Sequence, residues 1–259
     1  MRLSLSALFN LALPSAPEPN RVAFLRAQPF AHRGLHGRGI IENTLSAFKE
    51  AVSVGHGIEL DVQLAANGEL MVFHDERLDR LSAETGFLAE RTGLELSSIK
   101  LFGTDDTIPR LSEVLSLVAG RVPILIEIKT NSGNINHICL AVRRALEGYL
   151  GDAAIMSFDH RIPAWFYEHA RRLPRGLVVS ERAAVKLPDK LRAQAEVRLA
   201  LHRAKPDFVA YDLRCLPSPI ATGLRRRKLP VLAWTIRDAV QERAAFAAAD
   251  EIIYERHGG

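Results

Sequence analysis

Short runs rich in β-branched and other apolar residues recur along the chain, at 29–32, 57–62, 70–74, 123–129, 153–158, 176–180, 207–212, 230–236 and 251–254. Between most of them lie helix-like stretches, at 44–53, 111–117, 137–149, 164–172, 189–204, 217–227 and 238–248. Asn43, a favourable N-cap residue, precedes the first of these. Strands alternating with helices argue for a parallel sheet joined by crossovers. About eight repeats of that unit predict an α/β fold of the (β/α)8 TIM-barrel type rather than an open doubly wound sheet. No glycine-rich dinucleotide fingerprint follows the first run, which weakens the open-sheet alternative.

One connection departs from the pattern. Only residues 63–69 separate the second and third runs, with Ala66-Asn67-Gly68 as a turn. A parallel crossover needs about a dozen residues or more, so a hairpin-like β2–β3 connection is predicted, with one strand extra to the barrel wall. The hairpin folds His74 back beside Glu59 and Asp61. A small insertion is expected after the third strand. In domain terms, residues 1–28 read as an apolar, Pro-rich extension and 29–259 as a single barrel domain.

Glu59 and Asp61 stand at i and i+2 in a run of β-formers, so both point to one face, about 6–7 Å apart. Carboxylates held that close repel unless water screens them or a cation sits between them. In barrels, side chains at the carboxyl ends of strands share one face. Those ends carry His32 and Arg33, then Glu59 and Asp61, then His74, then Glu127 and Lys129. Three carboxylates suit a hard divalent cation, Mg²⁺ or Ca²⁺. Arg33 and Lys129 suit a phosphoryl group, and His32 and His74 supply an acid and a base. Each element has a plainer reading: a wet strand face, a hydrogen-bonded structural histidine, an ion pair within Glu127-Ile128-Lys129. Convergence on one mouth is what favours chemistry. His36, His56, His137, His160, His169, His202 and His257 lack such company and read as structural or exposed.

Composition narrows the class without deciding it. Apolar residues make up 47% and charged residues 25% of 259, as in globular proteins. The net charge of +4 suits anionic ligands such as phosphates or lipid head groups. Basic residues are scattered and no aromatic-interleaved basic stripe occurs, so no nucleic-acid partner is expected. Cys139 and Cys215 lack metal-type spacing, and a reduced, cytoplasmic chain is the simpler reading. The amino terminus superficially resembles a short secretory signal, but its basic region is minimal and its apolar stretch weak. An amphipathic segment lying on the protein or on a membrane surface is the preferred expectation, with residues 1–28 as the place of any peripheral membrane contact. The sequence sets no oligomeric state.

Taken in order, AHRG (31–34), IENT (41–44), IELDV (58–62), VFHD (72–75), LDRLSAETG (78–86), IPRLSEVL (108–115), LIEIK (125–129), SFD (157–159) and AWTIRD (233–238) resemble the glycerophosphodiester phosphodiesterase family. The resemblance runs from about residue 29 to the end, and its specificity lies in the ordered series. It implies a barrel that hydrolyses glycerophosphodiesters to an alcohol and glycerol 3-phosphate with one divalent cation, Mg²⁺ or Ca²⁺, with Mn²⁺ as an alternative. It assigns His32 and His74 as the acid/base pair and Glu59, Asp61 and Glu127 as metal ligands. It places Arg33 and Lys129 on the phosphate, Glu42 as a support, and Trp234 as a wall of the alcohol pocket or a structural indole. The last motif departs: Asp250-Glu251-Ile252-Ile253-Tyr254-Glu255 stands where the family usually has an Asp-Gly-Ile-Ile-Thr-Asp type of segment, which bears on substrate choice. Other readings are a lysophospholipase D or sphingolipid-head-group-cleaving enzyme on the same barrel, acting on a lysophospholipid, and a non-catalytic phosphate-binding protein.

Overall fold

All nine apolar runs are strands in the computed structural model, which describes residues 13–130, 135–181 and 187–255. They are β1 (Phe30–Ala31), β2 (Gly57–Leu64), β3 (Leu70–Val72), β4 (Ile124–Ile128), β5 (Ala153–Ser157), β6 (Arg175–Val179), β7 (Phe208–Asp212), β8 (Val231–Ile236) and β9 (Glu251–Tyr254). The sheet order is β1-β9-β8-β7-β6-β5-β4-β2-β3, and β1 also pairs with β2, which closes eight parallel strands into a barrel. Strands β4, β5, β6 and β7 are buried at every position. Parallel strands covered on both faces read as continuous apolar runs, which is why the sequence pattern was so clear.

β3 pairs with β2 and runs antiparallel to it, with Val62 opposite Val72 and Leu64 opposite Leu70. The predicted hairpin is therefore present, with the Ala65 N–H donating to Glu69 O at 2.9 Å across its turn. The insertion that follows is held by a small core of its own, in which Met71, Phe73, Leu78, Leu88, Leu96, Leu101 and Ile108 are buried together.

Helices fill the connections: α1 (Pro19–Val22), α2 (Leu45–Ser53), α3 (Gly93–Leu96), α4 (Leu111–Val118), α5 (Ile135–Ala145), α6 (Arg161–His169), α7 (Leu187–Ala204), α8 (Pro219–Arg226) and α9 (Ala239–Ala248). Two boundaries move for local reasons. The N-cap of α2 is Thr44, whose hydroxyl accepts from the Ala47 N–H at 3.2 Å; Asn43 is left for another task. α6 begins before Pro163 because Pro is tolerated in a first helical turn and Asp159 accepts the Arg161 N–H at 2.9 Å.

The chain forms two compact units. One lies within Met1–Ala27 and Met156–Ile253, the other within Gln28–Ile155 and Tyr254–Gly259. In the first unit, α1 and a 3-10 turn bury Val22 and Leu25, and Arg21 pairs with Asp207. Residues 1–12, on which much of the expected membrane contact falls, and His257 lie outside the described residues. No helix among the described residues is long and apolar enough to cross a membrane. Cys139 and Cys215 form no disulfide among the described residues.

Candidate active site

The parallel register between β2 and β4 sets Asp61 beside Glu127. The two-residue strand period brings Glu59 to the same face as Asp61. All three carboxylates are buried, Glu59 at 0%, Asp61 at 1% and Glu127 at 7% exposure. One oxygen from each lies within 4.8 Å of the others. The convergence expected from the i, i+2 spacing is thus present within the second unit.

Two cations partly balance this charge. Lys129 Nζ is 2.9 Å from Asp61 Oδ1 and also donates to Glu127 Oε1. Arg33 Nε is 3.3 Å from Asp61 Oδ2, and its Nη1 donates to Glu42 Oε1 at 2.8 Å. The Arg33 backbone N–H donates to Glu59 Oε2 at 2.9 Å. That contact needs a left-handed backbone at Arg33, φ +56°, a conformation kept at functional sites when neighbours hold it. Gly34 continues the turn at φ +78°, where a Cβ would stand 2.8 Å from the Ala47 Cβ, so the His-Arg-Gly segment packs on α2 only with glycine there.

These neighbours push the carboxyls apart. Burial drives Glu59 up to about 8, with Asp61 adding and His32 opposing. Burial would raise Asp61 as well, but Lys129 and Arg33 outweigh it and hold Asp61 well below the usual carboxylate range. Glu127 is raised by burial, against Lys129. Lys129 is held above its ordinary value, since Asp61 and Glu127 outweigh burial.

Each of the two predicted histidines is backed by a carboxylate. His32 Nδ1 lies 2.7 Å from Glu255 Oε1, and its Nε2 is 3.9 Å from Glu59 Oε2. Burial alone would lower the His32 pKa; Glu59 and the Glu255 bond outweigh it, and the net shift is upward. His74 Nδ1 lies 2.7 Å from Asp75 Oδ1. Its pKa is lowered, first by burial, with Asp61 opposing and Lys129 and Arg33 adding. Trp234 belongs to the other unit, where its indole N–H donates to Ala210 O at 3.0 Å and its ring meets Phe158 edge-on.

A sequence model of the Glycerophosphoryl diester phosphodiesterase family matches residues 32–257. The chain belongs to this family. It is 30% identical over 235 residues to a glycerophosphodiester phosphodiesterase of Caldanaerobacter subterraneus subsp. tengcongensis, covering 86% of this chain and 91% of the relative. It is 43% identical over 150 residues to one of Bacillus altitudinis, covering 54% of this chain and 61% of the relative. The fold is similar to that of an Oleispira antarctica phosphodiesterase solved in complex with the product sn-glycerol-3-phosphate, with a TM-score of 0.74, 21% identity, and 89% of this chain and 93% of that chain covered. The chain is accordingly a phosphoric diester hydrolase of the glycerophosphodiester phosphodiesterase type.

Within this family member, the structure adds residues that the motif reading passed over. Asn43 donates its Nδ2–H to Asp61 Oδ2 at 2.9 Å and accepts the Asp61 N–H at 3.3 Å. Its left-handed φ of +57° is a conformation Asn tolerates well. Arg80, from the insertion, bridges Glu42 Oε1 at 2.7 Å to Asp75 Oδ2, tying the Arg33 support to the His74 support. Glu255 and Asp75 orient the two rings. Asn43, Asp75, Arg80 and Glu255 all stand inside motif segments read from the sequence, which was the available signal; what each one touches was not legible there, because the contacts are set by how the loops and the insertion fold. His36, read as structural, instead lies with His32 and Glu255. His56 is bonded to the Tyr254 hydroxyl at 2.6 Å, and the exposed His169 ring stacks on Trp165.

The carboxylate set fits a hard cation. Glu59 Oε1 is buried with no hydrogen-bond partner among the described residues, and a buried unpaired carboxylate oxygen is costly unless a cation or a proton compensates it.

Proposed function

We propose that this chain hydrolyses glycerophosphodiesters to an alcohol and glycerol 3-phosphate in a metal-dependent reaction, with His32 and His74 moving the protons. What carries the reading is the buried trio Glu59, Asp61 and Glu127, with Glu59 Oε1 unpaired, beside an imidazole on a carboxylate support. The trio would hold one divalent cation of the Mg²⁺ or Ca²⁺ class. Such a cation, when bound, supplies positive charge against the non-bridging phosphate oxygens.

The remaining work falls to side chains. Arg33 and Lys129 neutralise charge that builds on phosphorus-bound oxygens in the transition state. His74, whose environment favours the neutral ring, takes the proton of the attacking hydroxyl, from water or from the glycerol 2-hydroxyl. His32, whose environment favours the protonated ring, gives a proton to the departing alkoxide oxygen. Glu42, braced by Arg80, keeps the Arg33 guanidinium in place.

The test is turnover of glycerophosphocholine and lysophosphatidylcholine with Mg²⁺, Ca²⁺ and Mn²⁺, following glycerol 3-phosphate release. Glycerophosphocholine as the better substrate is expected. Full activity after chelation removes the metal from the reading, and preference for the lysolipid replaces the substrate class. A cyclic phosphate trapped from a slow substrate identifies the glycerol hydroxyl as first nucleophile.

Metal affinity is expected to depend on pH. Glu59 must lose its proton to become a ligand, and its carboxyl titrates at about 8 in the metal-free protein. Mg²⁺ affinity therefore rises through the neutral range, by up to about tenfold per pH unit for one displaced proton, and levels off above that value. Calorimetry in two buffers of different ionisation enthalpy reads the released proton; no proton release at pH 7 would contradict the assignment of Glu59.

A further inference from the structure

A second group of metal-ligating atoms lies at the edge of this site and differs from the carboxylate trio in kind. His32 at the end of β1, His36 in the loop after it and Glu255 after β9 each present one donor atom, all within 4.8 Å of one another. The loop that carries His36 is shaped by the His36 N–H to Gly34 O bond at 3.0 Å and by the bridge between Gly37 and Ile40. His36 Nε2 is buried and has no hydrogen-bond partner among the described residues. A buried ring nitrogen left without a partner is costly, and a bound ligand recovers that cost.

Mg²⁺ and Ca²⁺ select oxygen donors, so two imidazoles and one carboxylate are a poor set for them. The same set is a Zn²⁺ type, three protein ligands with a fourth position for water. Zn²⁺ bonds of about 2.0–2.2 Å place tetrahedral ligand atoms roughly 3.2–3.6 Å apart. The donor atoms, within 4.8 Å of one another here, would close to that range as the metal binds. The charge balance also suits a dication, since Glu255 faces His32 directly and Glu59 and Glu42 lie close by.

We propose that His32, His36 and Glu255 form a binding site for a transition-metal dication of the Zn²⁺ class, distinct from the Glu59–Asp61–Glu127 trio, and that filling it switches hydrolysis off. A neutral imidazole coordinated through one nitrogen carries its single proton on the other. His32 in that state has no lone pair to accept a proton, and gives up its remaining one only as a very weak acid. It leaves the acid/base cycle while the catalytic cation stays in place. The inhibition rests on the reading of His32 as a proton donor; the binding does not.

The test uses the full chain saturated with Mg²⁺. Zn²⁺ is titrated by calorimetry without substrate, and Co²⁺ serves as a visible-absorption probe of a tetrahedral nitrogen-containing site. One equivalent of Zn²⁺ is expected to bind and to abolish turnover in parallel. His36→Gln, with His36→Asn as a second variant, is expected to keep Mg²⁺-supported turnover and to weaken Zn²⁺ binding and inhibition together by at least about tenfold, the scale on which even outer partners of a metal site act. Unchanged Zn²⁺ affinity and inhibition in both variants place the metal on the carboxylates and overturn the proposal, as does the absence of Zn²⁺ binding to the Mg²⁺-saturated protein. Because binding is read without substrate, failure of the hydrolase reading leaves a separate signature.

Discussion

His32→Ala and His74→Ala are expected to lose turnover on glycerophosphocholine by about 10²–10⁴-fold each, the contribution of a positioned acid or base. The two losses are expected to separate when the leaving group changes. An alkoxide is a poor leaving group and needs a proton as the P–O bond breaks; a nitrophenolate does not. His32→Ala should therefore recover most of its rate on a nitrophenyl phosphodiester, whereas His74→Ala, which lacks the base, should remain impaired on both substrates. Both rings are partly exposed, His32 at 13% and His74 at 31%, and neither belongs to the apolar core, so far-UV circular dichroism should match the parent protein. Retention of more than about a tenth of the parent rate on glycerophosphocholine removes that histidine from proton transfer. Rescue of His74→Ala rather than His32→Ala by the nitrophenyl substrate exchanges the two roles.

Glu59→Gln is expected to move stability and metal response in opposite directions. The Glu59 carboxyl is fully buried and titrates at about 8 in the folded, metal-free protein, against 4.5 as the ordinary value. The folded state thus holds this proton more tightly than the unfolded chain does. The stability this confers is complete below the ordinary value and is lost as pH rises through about 8. Gln is neutral at every pH and its side-chain oxygen still accepts the Arg33 N–H. In chelator, the variant should match the parent below about pH 4.5 and exceed it by about 1.4 kcal/mol for each pH unit climbed from there to about pH 8, with the gap level above that. For a chain of this size the full gap corresponds to a rise in Tm of about ten degrees at pH 9. With Mg²⁺ added, the parent should gain stability by mass action and the variant should not. Thermal unfolding at pH 6 and pH 9, with chelator and with Mg²⁺, checks both halves. A variant that is less stable than the parent in chelator at pH 9, and still stabilised by Mg²⁺, refutes the role given to this residue. The energetic logic is that of a binding site: charge repulsion within the fold is kept because the bound cation reverses its sign.

Much of the barrel was legible in the sequence because each strand buried on both faces leaves a continuous apolar run, and each helix between them a different one. The length of the 63–69 connection was enough to identify the hairpin, since so short a link cannot cross over a parallel sheet. Glu59 with Asp61, and Glu127 with Lys129, were legible because the strand period is two, so that i and i+2 share a face whatever the rest of the chain does. Ordered motifs then carried the family. Asn43 was visible as a polar residue before a helix and was read as its cap; Thr44 takes that duty, and Asn43 spans the loop to Asp61.

The sequence by itself therefore determined the fold class, the hairpin and the polar strand ends, because these depend on local period and connection length. Tertiary structure alone decided that Asp61 lies in register with Glu127, that Arg80 locks Glu42 to Asp75, and that His36 and Glu255 stand against His32. The pairings of Asp61 with Glu127, Arg80 with Glu42 and His32 with Glu255 join residues tens to hundreds of positions apart. Strand register, the packing of the insertion and the bond from the His32 N–H to Tyr254 O set them, and no local pattern records such distances.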